Sequence, residues 1–447
     1  MGHYVPHTDA EIDAMLAALG LSSLDELFAS VPEALRLAAG DDGRYLALDD
    51  GLSEFDTLAE MERLAGRNAA VGRGLVCFAG GGAYDHEIPA AVTRLAFRSE
   101  FVTAYTPYQP EVAQGVLQAL FEYQTMLTRL AGVPIANASL YDGASACVEA
   151  LNLAVAATGR QAVWVSRGVH PHWREVMRTF AAGTGHDLVE VDLADGVTRW
   201  PREGSPGAVL LQYPNYLGCL DEVAAAAEVA RSTGALLVVA IDPVAAGLLR
   251  TAGSHGADVV VGEGQPFGTP LSLGGPYLGL FACRAEHVRR LPGRLVGETV
   301  DVDGRRAYVT TLRTREQDIR RERASSNVCT NQTLIAVCCA IQMAWLGTTG
   351  LRELALRCAR GTRYAREALL ALDGVEPVAG APTVREFGVR ARVGGEVLVE
   401  RMAEEGFLAG VPLGEEYGGG LLVAVTEKRT REEIDAYVAA MEKAVRS

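Results

Sequence analysis

Four short runs of β-branched and aliphatic residues constrain this chain more than any other feature: AVWVS (162–166), AVLLQY (208–213), ALLVVAI (235–241) and ADVVVG (257–262). Helix-length stretches such as Asp221 to Ser232 separate most of them. Continuous apolar strands alternating with helices predict βαβ units, right-handed crossovers and a mostly parallel sheet covered on both faces. Ahead of this core, Thr8 or Asp9 can cap a helix carrying Ile12, Met15, Leu16 and Leu19, the start of a helical arm over 1–65. A helix is expected from Glu111 to Leu130, behind the loop that holds Pro107 and Pro110. From about 325 a helical block leads into strand, helix, strand, helix: 384–391, 396–405, 420–425 and 430–445. The expected organisation is therefore an arm (1–65), a large α/β domain (66–324) and a small C-terminal α+β domain (325–447).

The formal charge of −15 argues against a nucleic-acid groove or a polybasic membrane surface, because both need clustered cations. No stretch reads as about 20 consecutive apolar residues, and the first twenty lack the basic start and apolar run of a signal peptide, so a cytoplasmic protein is expected. The eight cysteines show no CxxC spacing and are expected to be reduced and mostly buried. His170 and His172, and the run Asp85, His86, Glu87, lack a second ligand cluster, so no metal is expected. The most consequential count is of lysine: only Lys428 and Lys443 occur among 41 basic residues.

Some segments admit two interpretations. Gly143, Ala144 and Ser145 open a helix and could present N–H groups to a phosphate, or simply form a capped start. Gly80 to Gly82 fits neither a GxGxxG nor a Walker spacing and is expected to be a tight loop. Arg320, Arg321 and Arg323 are either a solvated face or carboxylate-binding forks. The turn with Tyr105, Tyr108, Gln109 and Glu111 is either core packing or a cleft wall.

Longer motifs run over nearly the whole chain: YVPHTDAEIDAML at the start, FAGGGAYDHEIP (78–89), TAYTPYQPEVAQGVLQALFEYQT (103–125), ANASLYDGASA (136–146), VVVGEGQPFGTPLSLGGPYLG (259–279) and IRRERASSNVCTNQ (319–332). In these the chain resembles the P-proteins of the glycine cleavage system, in the N-terminal-half (α-type) subunit of their two-subunit form. The resemblance implies the aspartate-aminotransferase-like fold of pyridoxal-phosphate (PLP) enzymes, fold type I, with a seven-stranded type of sheet. It implies a reaction in which glycine is decarboxylated and its aminomethyl group passes to the lipoyl arm of H-protein, the PLP ring acting as electron sink.

An aldehyde cofactor of this kind needs a lysine amine at the end of the sheet, usually beyond an Asp that pairs with the pyridinium nitrogen. Asp242 suits that acid. The register set by Gly274–Gly275–Pro276 places Gln265 where the sister subunit of the family carries its lysine, and an amide cannot form the imine. The pocket with Asp242, Gln265, Gly143 and Ser145 is thus expected to be vestigial, with PLP held by subunit 2, the lysine-bearing partner, in an α2β2 heterotetramer. By resemblance, Tyr105, Tyr108, Glu111, Arg323 and Asn331 are expected to line the shared cleft, with Gln109 and Thr330 beside them. The family commonly has Lys where Arg323 stands, which leaves a bidentate role there open. The competing expectations are a subunit that only stabilises its partner and an independent PLP lyase; the latter would colour this chain on its own.

Overall fold

The computed structural model describes residues 6–37 and 51–446, so Tyr4 and Val5 of the opening motif and residues 38–50 of the arm lie outside it. The chain divides into two compact units, Met1–Ala69 and Ala70–Ser447.

In the first unit, α1 (Asp9–Leu19) and α2 (Glu54–Ala65) are joined by short 3-10 turns among the described residues. Thr8 is the cap of α1. Its backbone N–H donates to Glu11 Oε2 at 2.7 Å while its hydroxyl accepts from the Glu11 N–H at 3.4 Å, a reciprocal box that satisfies two otherwise orphaned groups.

The second unit is built on a seven-stranded sheet. In chain order its strands are β1 (Ile135–Ala136), β2 (Ala162–Ser166), β3 (Asp187–Val191), β4 (Ala208–Tyr213), β5 (Leu236–Ile241), β6 (Val259–Glu263) and β7 (Gly279–Cys283). Their spatial order is β1-β7-β6-β5-β4-β2-β3, parallel from β6 through β3 and antiparallel where β7 joins β6 and β1. Side chains of the central strands alternate between two cores. Val209, Leu211, Leu237 and Val239 join Leu117, Leu120 and Leu127 of α3 (Gln114–Ala131), whereas Leu210, Val238 and Val261 join Val148 and Leu151 of α4 (Gly143–Thr158). Burial on both faces explains why these strands read as unbroken apolar runs.

The start of α3 is three residues later than expected. Pro110–Val112 forms a 3-10 turn, and the Gln114 amide ties the junction together by donating to the carbonyls of Pro110 and Tyr308 at 2.8 Å each. The crossover helices α5 (Pro171–Thr184) and α6 (Val223–Thr233) follow β2 and β4. A hairpin of β8 (Leu295–Val300) and β9 (Arg306–Thr311) precedes the arginine-rich segment. Then comes α7 (Thr333–Leu370), kinked where Gly347 takes φ 58° and ψ −172°.

The apolar stretch of α7 is long enough to cross a membrane, contrary to the reading that no stretch approaches that length. Its first half instead packs Ala336, Val337, Cys338, Cys339 and Ala340 into the protein. The C-terminal part of the unit is a second sheet, β10 (Val375–Pro377), β11 (Glu386–Ala391), β12 (Val411–Pro412) and β13 (Leu421–Ala424), in the order β10-β11-β13-β12. It is covered by α8 (Gly395–Glu404) and α9 (Arg431–Arg446), with Phe387, Val423, Leu398 and Tyr437 in a core of their own. Seven cysteines are buried thiols and Cys329 is exposed; none is disulfide-bonded.

Candidate functional site

Ligands of open parallel sheets bind beyond the carboxyl ends of the strands, and Asp242 stands there, directly after β5. One carboxylate oxygen accepts from the N–H groups of Val244 (2.9 Å) and Ala245 (3.2 Å). The other meets Nη2 of Arg385 at 2.7 Å, in an ion pair whose side chains are 12% and 4% exposed. The guanidinium of Arg385 lies 3.4 Å from the centroid of the Tyr84 ring, so a planar cation is stacked on an aromatic face and paired with the acid. Nη1 of Arg385 donates to Nε2 of His86 (2.6 Å), whose Nδ1–H donates to Glu427 (2.6 Å). The Tyr84 hydroxyl donates to Glu386 (2.7 Å), which also accepts the Gly81 N–H at 3.0 Å. Burial pushes the Glu386 carboxyl up to about 7.

Gln265 is 1% exposed and its amide is fully used: Nε2 donates to the carbonyls of Thr269 (2.7 Å) and Tyr84 (3.3 Å), while Oε1 accepts the Tyr84 N–H (3.1 Å). At the start of α4 the Gly143 N–H donates to Glu263 (3.0 Å) and the Ser145 N–H to the capping Asp142 (2.7 Å). Two of the N–H groups a phosphate would use are therefore taken by carboxylates of the chain itself. A Cβ on Gly143 would come within 2.4 Å of Trp173, so only glycine lets this turn approach so closely. Between Tyr84, Gln212, Pro214, Asp242, Arg385 and Glu386 a space of about 10 Å³ remains, roughly enough for one water. These residues do not fit a pyridine ring with its phosphate. The two lysines are engaged elsewhere, Lys428 with Asp85 (2.7 Å) and Lys443 with Glu405 (3.1 Å).

His170 is tied to the pocket residue Gln212, whose Oε1 accepts the His170 N–H (2.9 Å). The imidazole Nε2–H donates to the Gly81 carbonyl (2.6 Å) and its Nδ1 accepts the His172 N–H (3.1 Å), capping α5. Burial lowers its pKa to about 4. The unfolded chain takes up this proton near pH 6.5, so the stabilisation is complete above that pH and declines as the pH falls toward 4. Denaturant titrations at pH 7 and pH 4.5 are expected to show a loss on the order of 3 kcal/mol at most from this group. His170→Gln should flatten that slope; an unchanged acid slope would remove the assignment. His86, Cys358 and Glu427 also lie close enough to share a metal ion, but Arg385 already occupies the second ring nitrogen of His86 and would repel a cation.

The expected cleft residues fall into two sets. Tyr108 and Asn331 are brought together by Arg294, which the sequence reading did not single out. Arg294 is 4% exposed. Its Nη1 donates to Asn331 Oδ1 (2.7 Å), and its Nη2 donates to the Tyr108 hydroxyl (3.0 Å) and to the Cys329 carbonyl (2.7 Å). Arg294 and Arg313 also both face the Tyr108 ring, with centroid distances of 5.2 and 5.3 Å. The Asn331 amide continues to Ala138 O (3.3 Å) and Ser139 Oγ (3.2 Å), and the Cys329 N–H reaches the Tyr141 hydroxyl (3.2 Å), so this cluster abuts the loop that enters α4. Ser139 holds φ at 135°, a region that non-glycine residues rarely adopt and that tends to mark functional loops.

The other set stays apart. Tyr105 is 81% exposed, Glu111 sits exposed on the 3-10 turn, and Arg323 is exposed beside Glu322; no hydrogen bond joins them to Arg294 among the described residues. The local signal for Arg294 was a lone cation in the apolar stretch LPGRLVG, after a Gly293 with φ 67°.

The layered sheet, the acid beyond β5 and the capped helix beside it define the architecture of PLP enzymes of fold type I. An alanine–glyoxylate aminotransferase from Nostoc sp. shares that fold alone, with a TM-score of 0.58 at 16% identity over 83% of this chain and 95% of its own. The family described as "Glycine cleavage system P-protein" matches residues 2–441, and the chain belongs to it. A relative from Moorella thermoacetica, "Probable glycine dehydrogenase (decarboxylating) subunit 1", is 48% identical over 446 residues, covering 98% of each chain. A crystal structure of glycine decarboxylase (P-protein) of the glycine cleavage system, in inhibitor-bound form, superposes with a TM-score of 0.92 at 43% identity, over 99% of this chain and 100% of that one.

Proposed function

We propose that this chain is the cofactor-free half of a two-subunit glycine decarboxylase of the cytoplasm. Its partner, a lysine-bearing subunit 2, holds the PLP and completes an α2β2 assembly. The observation that carries this reading is the buried Gln265 amide, satisfied on every side, next to an Asp242 already neutralised by Arg385. The reaction breaks the bond between glycine's carboxylate and its methylene carbon. The electron pair left on that carbon attacks one sulfur of the oxidised lipoyl arm of H-protein, the S–S bond breaks, and the second sulfur leaves as a thiol after taking a proton. PLP, when bound by the partner, supplies the electron sink for the first step.

This chain's share is the wall of the cleft. Tyr108, held by Arg294, presents a hydroxyl in a fixed geometry, Asn331 ties that wall to the 138–139 loop, and Tyr105, Glu111 and Arg323 project from the same sequence motifs to orient the glycine carboxylate and exclude water from the carbanion. In the reconstituted complex Tyr108→Phe and Arg323→Ala are each expected to lower kcat/KM for glycine by about tenfold, the scale of one lost charge-assisted hydrogen bond. Unchanged kcat/KM in both would end the cleft-wall assignment. The central test is to coexpress both subunits, reduce with borohydride and locate the pyridoxyl label by peptide mass spectrometry. Label on the partner is expected. Label on this chain would overturn the reading in favour of an independent lyase, and normal turnover with every cleft variant would favour a purely stabilising subunit.

A further inference from the structure

A second cluster of cations lies outside the pocket and outside the Arg294 hub. Arg289, Arg315, Arg320 and Arg323, with Thr314 and Ser325, line a cleft of about 230 Å³. No carboxylate is among the lining residues. Three of these arginines are exposed, the ordinary state of a surface cation, but Arg315 is 8% exposed. Its Nη1 donates to the Leu291 carbonyl, while Nε and Nη2, the two nitrogens on the opposite edge of the fork, have no hydrogen-bond partner among the described residues. A buried guanidinium with two unused donors is costly unless something accepts from it. No acid comes within ion-pair distance of Arg315 among the described residues, and the Arg323–Glu322 contact is a loose 3.9 Å.

The loop is shaped to hold this arrangement. The Arg315 carbonyl accepts the Ser325 N–H (3.1 Å), and Arg320 Nε donates to the Thr314 carbonyl (3.0 Å). Leu312 (φ 56°) and Arg321 (φ 52°) are both in the left-handed region, which costs energy at non-glycine residues and persists where surrounding contacts enforce it.

We propose that this cleft is a binding site for a doubly charged oxyanion of phosphate type, free or as a phosphate monoester. The vacant edge of Arg315 is the geometry that grips two oxygens at once. The lining adds three further arginines, a threonine and a serine, a donor set that exceeds what a planar carboxylate needs and suits a tetrahedral dianion. The site shares Arg323 with the proposed cleft wall, but its test reads anion binding by this chain alone and depends neither on turnover nor on the partner subunit.

The full-length chain is titrated calorimetrically with inorganic phosphate, glycerol phosphate and malonate at constant ionic strength set by chloride. Saturable binding of one phosphate or phosphate ester per chain is expected, the tighter of the two naming the source. Arg315→Met and Arg320→Gln should each weaken it about tenfold or more. Because Arg320 is exposed, Arg320→Gln reports even if the Arg315 variant does not fold. Absence of saturable heat beyond that of chloride, tighter binding of malonate than of either phosphate, or unchanged affinity in Arg320→Gln would each overturn the proposal.

Discussion

Replacing Arg385 by leucine should lower the stability of the chain by about 3–5 kcal/mol, the scale for removing one partner of a buried ion pair. Arg385 neutralises Asp242, donates to His86 and covers the Tyr84 ring, all out of reach of solvent. Without it, Asp242 and Glu386 become buried carboxylates facing each other with no cation between. The defect should be partly relieved by a second change, Asp242→Asn, because the interaction energy of the pair drops out of the double variant. It should also ease as the pH falls toward about 7, because loss of the Arg385 charge raises the Glu386 carboxyl above the value of about 7 it has beside that cation, so the variant takes up this proton at a higher pH than the parent. Denaturant unfolding of the two single variants and the double variant at pH 6 and pH 8 checks all three expectations. A loss below 1 kcal/mol in Arg385→Leu would mean that the pair contributes little.

Arg294→Lys is expected to have the larger effect on turnover. The substitution keeps the charge but exchanges a planar fork with three directed hydrogen bonds for a single ammonium. Tyr108 and Asn331 then lose their common anchor, and displacement of aligned groups by as little as 1 Å can cost about 10²-fold in rate. In the two-subunit complex kcat should fall by about that factor while KM for glycine changes less and the heat of assembly with the partner stays the same. Failure of assembly, with normal kcat in the fraction that does assemble, would instead make Arg294 a purely structural residue.

What could be seen in the sequence, and what could not, follows from range. The strands at 162–166, 208–213 and 236–241 were legible because each is buried on both faces and announces itself by its own residues. Strand β3, DLVEV, alternates at the sheet edge and was passed over, as was the hairpin of β8 and β9, whose outer ends are exposed. Gln265 was legible because a neighbouring Gly-Gly-Pro sets its register. Arg385 was not: its partners Asp242 and Tyr84 lie far away in the chain, and TVREFGVR reads as an ordinary strand entry. Arg294 was hidden for the same reason, since Tyr108 and Asn331 were expected in one cleft with no residue to link them. Arg323 and Tyr105 show the converse: motif membership placed them in one group, and the fold leaves both on the surface.

The self-filled pocket also bears on supply. A protein whose native state is completed by a bound vitamin derivative gains stability only while that compound is abundant, by mass action. Here the positive charge opposite Asp242 is Arg385 of the polypeptide itself, so on the proposed reading the fold of this chain draws nothing from the coenzyme pool. Its melting temperature should be indifferent to starvation for vitamin B6, leaving a finished scaffold waiting for whatever loaded partner the cell can make.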